Sequence, residues 1–195
     1  MVKFQAASTS NTTLFDYWKP YNESAIWDIA IGYYQNKGVQ AFSSKETKSV
    51  PHTVNTNYQN ALAIAKIVKA LVDKSTSQEV FQILECGAGS GYFSRQFLHA
   101  LRDLGLLGKV KLIISDFSNT MLSQIRDLGM FADFTEGVDF DLVNFNILER
   151  GSAKDLAGKP YKLDNVISTI LNYVLDALPL TVLKKLPDIS ETNFG

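Results

Sequence analysis

Phe81-Gln82-Ile83-Leu84-Glu85-Cys86-Gly87-Ala88-Gly89-Ser90-Gly91 is the stretch whose reading decides the fold. A short apolar run ends in an acid, glycines follow at every second position, and an amphipathic segment opens at Tyr92. This predicts a strand, a tight turn and a helix start. Glycine permits positive φ and lets a ligand approach the bare backbone. The free N–H groups of the turn and the helix N-terminus are expected to form an electropositive corner around something small and polar. The same pattern also suits a strand-to-helix turn that holds no ligand.

Spacing separates the ligand classes. A dinucleotide fingerprint needs G-x-G-x-x-G, with its third glycine where the helix packs against the strand. Here Tyr92 occupies that position. Glu85, two residues before the first glycine, would repel a pyrophosphate and suits a ligand carrying an ammonium group. E-x-G-x-G-x-G after a strand resembles motif I of the class I S-adenosyl-L-methionine (SAM) methyltransferases. That resemblance implies that Glu85 faces the methionine ammonium and that Gly87, Ala88, Gly89 and Gly91 pass under the amino-acid end of the cofactor.

Outward from this stretch, strands and helices alternate. Val80–Glu85 reads as the first strand, Tyr92–Leu104 as a helix, Val110–Ser115 as the second strand, and Met121–Leu128 as a helix. Phe140–Asn146 reads as the third strand and Asn165–Thr169 as the fourth, followed by helical Tyr173–Leu178 and Thr181–Leu186. Strands separated by helices imply right-handed crossovers. The expected fold class is α/β: a Rossmann-like, doubly wound, mostly parallel sheet with helices on both faces. A class I methyltransferase sheet normally has seven strands, so four predict a core lacking its C-terminal strands, completed by a partner or a further segment. Upstream, Ala61–Lys74 reads as an amphipathic helix, Gly38–Thr56 as a loop, and the aromatic-rich Leu14–Tyr34 as short helical pieces. Residues 1–78 are expected to form an extension packed on a SAM-binding core of residues 79–195.

Composition bounds the rest. The chain has 195 residues, 46% hydrophobic and 20% charged, with a formal net charge of -1, which suits one globular domain. With no long basic block, a nucleic-acid partner gains little attraction. No stretch approaches the length of a membrane span. The single Cys86 excludes an internal disulfide and fits a reducing compartment, cytosolic or an organellar matrix. His52 and His99 are isolated and lack the spacing of a zinc site, so no metal is expected.

Further site residues follow strand ends. Asp116 closes the second strand, where its two carboxylate oxygens can accept both ribose hydroxyls of a nucleoside ligand, or can cap the following helix. Phe117 packs either on an adenine or on the core. Asn146 closes the third strand, and the SAM-enzyme likeness gives that place an amide bonding the adenine amino group; Asp139 and Asp141 are alternatives in register.

Asn172-Tyr173-Val174-Leu175-Asp176-Ala177-Leu178-Pro179 carries a narrower likeness. It resembles the N-E-x-x-D-A-x-P signature of the MidA-like methyltransferases, which include mitochondrial arginine methyltransferases for complex I assembly. Asn172, Asp176, Ala177 and Pro179 match, while Tyr173 replaces the glutamate. Asp16-Tyr17 and Ala25-Ile26-Trp27-Asp28 leading to Gly32-Tyr33-Tyr34 resemble that family's N-terminal signature; its G-D-F-x-T-x-P-E stretch has no counterpart. The likeness implies a SAM cofactor, Asn172 beside it, Tyr173 and Asp176 near the transferred methyl, and Tyr33-Tyr34 as a cover. Arginine needs a carboxylate to orient its guanidinium and favour proton loss. Tyrosine does that poorly, so Asp176 substitutes, or the acceptor is another protein side chain or a small molecule. Two other readings stay open: a non-catalytic scaffold that keeps the fold, and an NAD-binding oxidoreductase.

Overall fold

The computed structural model describes residues 19–43, 56–149 and 151–179. Among the described residues, five α-helices and five strands run in the order α1 (Ile26–Lys37), α2 (Gln40–Ser43), α3 (Tyr58–Val72), β1 (Phe81–Cys86), α4 (Tyr92–Asp103), β2 (Val110–Asp116), α5 (Asn119–Asp127), β3 (Phe140–Asn144), β4 (Lys154–Asp155) and β5 (Val166–Ile170). One sheet has the order β4-β3-β2-β1-β5. Only the β3–β4 pair is antiparallel. The protein is therefore α/β, with a mostly parallel Rossmann-like sheet.

Alternation along the strands sets the two faces. Ile83, Leu112, Ile114, Phe140, Leu142 and Ile170 share a core with Ala65 and Val68 of α3, Phe93 and Phe97 of α4, and Leu122 and Ile125 of α5. Leu84, Cys86, Ile113 and Val143 form the opposite core with Ala153, Phe145, Tyr161 and Leu163. All three long core helices thus lie on one face. The other face is covered, among the described residues, by the irregular segment after β3 rather than by a helix.

Several boundaries shift for local reasons. α3 begins three residues earlier than expected because the Asn57 side chain caps it, accepting from Asn60 N–H at 2.9 Å. Ser118 does the same for α5, accepting from Met121 N–H at 3.2 Å. Between the expected third and fourth strands the two-residue β4 pairs at the sheet edge, too short to show periodicity. Gln40–Ser43, expected to be loop, forms a helical turn. The helix expected over Tyr173–Leu178 is a turn plus one 3-10 turn at Leu175–Ala177, because Tyr173 sits at φ 56 and Pro179 follows. Thr181–Leu186 and Asp16-Tyr17 lie outside the described residues.

Candidate functional site

The chain passes from β1 through β2 to β3 on one side of the sheet, then returns to place β5 on the other side of β1. This reversal of strand order beside β1 is a topological switch point, and ligands of open α/β sheets bind outside the strand ends there. The glycine turn occupies that corner. Gly87, Gly89 and Gly91 have φ of 70, 54 and 75 respectively. A Cβ on Gly91 would meet Phe131 at 3.2 Å, so this residue serves the close helix approach, and Tyr92 is left about half exposed.

The turn's own N–H groups are only partly free. Ala88 N–H donates to the Ser115 carbonyl at 2.9 Å, Gly91 N–H to the Ala88 carbonyl at 2.9 Å, and Gly89 N–H to Asp116 Oδ2 at 3.1 Å. Three of the turn's donors are thus consumed within the protein. What remains around them is acidic. Glu85 is 2% exposed and Asp116 4% exposed, and no basic side chain is buried among the described residues.

Each acid is held differently. Glu85 shares the helix-side parity of Ile83, and its Oε2 accepts from Ser94 Oγ of α4 at 2.6 Å. Burial raises its pKa to about 7; the Ser94 hydrogen bond opposes the rise, and the charge of Asp116 adds to it. Asp116 accepts from Gly89 N–H through Oδ2 and from Ser118 N–H through Oδ1, the latter at 2.9 Å. Burial pushes its carboxyl above the usual range, and these backbone donors counter the rise. Both the ribose reading and the capping reading of Asp116 met a third role: it ties the glycine turn to the start of α5. Cys86 is buried on the opposite face, and burial raises its thiol pKa, so it behaves as a small core residue.

The other expected residues fall in two groups. Phe117 is half-buried beside Asp116. Asn146 lies two residues beyond the end of β3, correcting its expected place in the strand. Its side chain closes a local turn, accepting from Leu148 N–H at 3.1 Å and donating to Glu149 at 3.0 Å. Asp139 is likewise taken up, accepting from Thr135 N–H at 2.8 Å, and Asp141 binds Lys111 and the Tyr161 hydroxyl. Asn172 lines an open cavity of about 350 Å³ between α3 and β5, with Asn60, Ile64, Phe93, Thr169 and Leu171. Tyr173 is exposed at the same chain corner; Asp176 is in the 3-10 turn that follows.

Three contributors were missed. Asn144 donates through Nδ2 to the carbonyls of Asp116 and Phe117, fastening the β2–α5 turn. Val174 lies over Gly87, where an added Cβ would meet it at 2.6 Å, and Phe42 of α2 lies over Gly89, where an added Cβ would meet its ring at 3.0 Å. The aromatic cover is therefore Phe42, with Tyr34 stacked on it at 5.9 Å and Tyr33 packed against Tyr34. Only the strand-end position of Asn144 was readable in advance; Phe42 and Val174 meet the turn through long-range packing.

Among the described residues no cluster of metal-ligating side chains occurs, and no helix is long and apolar enough to cross a membrane. No protein-family model and no curated protein matches the chain. One solved structure that it resembles is that of a "likely methyl transferase" from Burkholderia thailandensis bound to S-adenosyl-homocysteine. The two are 20% identical with a TM-score of 0.44, and the match covers 66% of this chain and 33% of that one. This chain thus spans about a third of the length of that protein.

Proposed function

We propose that this chain binds S-adenosyl-L-methionine at the Gly87–Gly91 corner and acts in methyl transfer to a protein side chain or a small molecule. The observation that carries the reading is electrostatic. The turn's N–H groups at Ala88, Gly89 and Gly91 are satisfied by the protein, and the buried charges nearby are the carboxyls of Glu85 and Asp116. Two buried acids beside the turn disfavour a pyrophosphate, which would add like charge, and favour a sulfonium or ammonium.

In this reading Gly87, Ala88, Gly89 and Gly91 form the floor, and Glu85 supplies negative potential toward the methionine ammonium. Asp116 shares a remaining lone pair with the ribose, and Phe117 borders the adenine. Asn172, Tyr173 and Asp176 stand at the acceptor side. The nucleophile's lone pair forms a bond to the methyl carbon as the S–C bond breaks toward sulfur, leaving a neutral thioether and a proton to be removed from the acceptor. Proximity and orientation supply most of the acceleration for such a displacement.

Calorimetric titration of the purified chain tests the cofactor: SAM is expected to bind and NAD to give no heat. Transfer of a radiolabelled methyl group from SAM to a cell extract tests the reaction. Binding without transfer would leave a SAM-holding scaffold, and NAD binding in place of SAM would end the reading altogether.

A further inference from the structure

Among the described residues, the buried acid Glu85 has no counterion. Ser94, itself fully buried in the first turn of α4, donates a hydrogen bond to it at 2.6 Å. The described elements packed around it supply no positive charge. From β2, Ile114 lies beside it in register and Asp116, another acid, follows two residues on. From β5 its partner in register is Ile170. On α4, Arg95 is next to Ser94 in sequence but turns away, donating to the Met130 carbonyl and pairing with Asp133 at 2.7 Å. Cys86, next along β1, faces the opposite core.

Two buried carboxyls on the same face of neighbouring strands, two residues apart in register, resist holding two charges at once, because each loses hydration and each repels the other. A cationic ligand removes that obstacle by supplying the missing opposite charge. We propose that cation binding at the glycine corner is coupled to release of a proton from Glu85, and that Ser94 is the positioning residue that sets the pH at which this exchange occurs. The inference rests on the SAM reading given above and adds to it the regulation of that site. Ser94 can act this way because its hydroxyl donates to the carboxylate, favouring the charged form; without that donor the proton is held more tightly. Burial of Glu85 and the nearby Asp116 charge, which together hold its pKa at about 7, place the exchange near neutrality.

The test is titration of the full chain with SAM itself in pairs of buffers differing in ionisation enthalpy, from about pH 5.5 to about pH 8.5. The difference in observed heat between buffers reports the protons exchanged. Below about pH 7 the free ligand's amine is already mostly protonated, so in that range the difference between proteins reports Glu85. The native chain is expected to release up to about one proton more than Glu85→Gln around neutral pH. Ser94→Ala is expected to bind SAM as the native chain does at high pH. Its release should be displaced upward by about one pH unit, the equivalent of a hydrogen bond to a charged group. SAM binding with identical proton counts in the native chain and both variants overturns the coupling and leaves the SAM reading standing. No SAM binding by the native chain at any pH overturns both. Should Glu85→Gln fail to fold, Ser94→Ala alone decides the matter, since a purely structural serine would not move the pH of release.

Discussion

The backbone N–H of Gly89 donates to Asp116 Oδ2 at 3.1 Å, joining the glycine turn after β1 to the end of β2 across 27 residues of chain. The other oxygen, Oδ1, accepts from Ser118 N–H, so a single carboxylate fixes both the turn and the entry to α5. Asparagine in its place would turn an NH₂ toward one of these donors, leaving a buried N–H unsatisfied at a cost of about 1–3 kcal/mol. Asp116→Asn is therefore expected to lower the thermal midpoint by several degrees. SAM binding should weaken by at least about tenfold, because the floor of the site loses its tie. Circular dichroism melting and calorimetry read the two effects. An unchanged affinity would remove Asp116 from the site.

A second tie lies farther from the turn. Gln124 Oε1 of α5 accepts from Val39 N–H at 2.8 Å, between α1 and α2, and a Cβ on Gly38 would collide with that same amide. Phe42, the residue over Gly89, follows on α2. Gln124→Ala leaves the Val39 donor to water, at about 1 kcal/mol for a part-buried bond. The expected outcome is local: faster amide hydrogen exchange over 26–43, with exchange in β1 and β2 unchanged. Uniformly faster exchange across the sheet would show instead that this latch supports the whole fold.

How much of this was legible in the sequence follows from how local each signal was. Phe81–Gly91 gave strand, turn and helix because β propensity, glycine spacing and the amphipathic start at Tyr92 all act within one stretch. The parallel order of β1, β2 and β3 followed from the intervening helices. β4 was invisible because two residues at a sheet edge carry no period. The internal partners of the turn were not legible, because sequence shows how many N–H groups a turn has but not what accepts from them; Ser115 and Asp116 are 27 residues from Ala88 and Gly89. The place of Asn146 at the strand end was misjudged because a local turn, with Leu148 and Glu149 as its partners, ends the strand two residues earlier. Phe42 over Gly89 is a contact between segments far apart in the chain, which no pattern within either one encodes.

Stability should depend on pH in a direction unusual for carboxylates. Burial raises Glu85 from 4.5 to about 7 in the folded chain, with Asp116 raised as well. The folded state therefore keeps protons that the unfolded chain gives up in this window. The stabilising contribution is complete below the unfolded pKa and is lost as pH rises through the folded one. For Glu85 alone the loss is up to about 3 kcal/mol, taking one pKa unit as 1.36 kcal/mol. The ligand-free chain is thus expected to melt at progressively lower temperature between about pH 5 and about pH 8. Glu85→Gln, which keeps shape and a hydrogen-bond acceptor for Ser94, should remove most of that slope and melt higher at the alkaline end. A native chain whose stability climbs over this range would show that Glu85 is ionised throughout.

Tyr173 combines two features that seldom coincide without a reason. It holds φ 56, a left-handed conformation disfavoured for a residue with a Cβ by about 1–2 kcal/mol, and its ring is 48% exposed. Little packing compensates, so the turn after β5 carries strain in the place where the acceptor side of the proposed site begins. Glycine accepts this conformation freely, and Tyr173→Gly is expected to stabilise the folded chain by up to about 1 kcal/mol after the added flexibility of the unfolded chain is discounted. If the ring contacts the methyl acceptor, the same substitution reduces methyl transfer more than SAM affinity, since Val174 rather than the Tyr173 ring lies over Gly87. Paired measurements of denaturant midpoint and transfer rate decide the point. A variant that is both more stable and equally active would show that the strained tyrosine has no part in recognition, and would shift attention to Asn172 and the cavity it lines between α3 and β5.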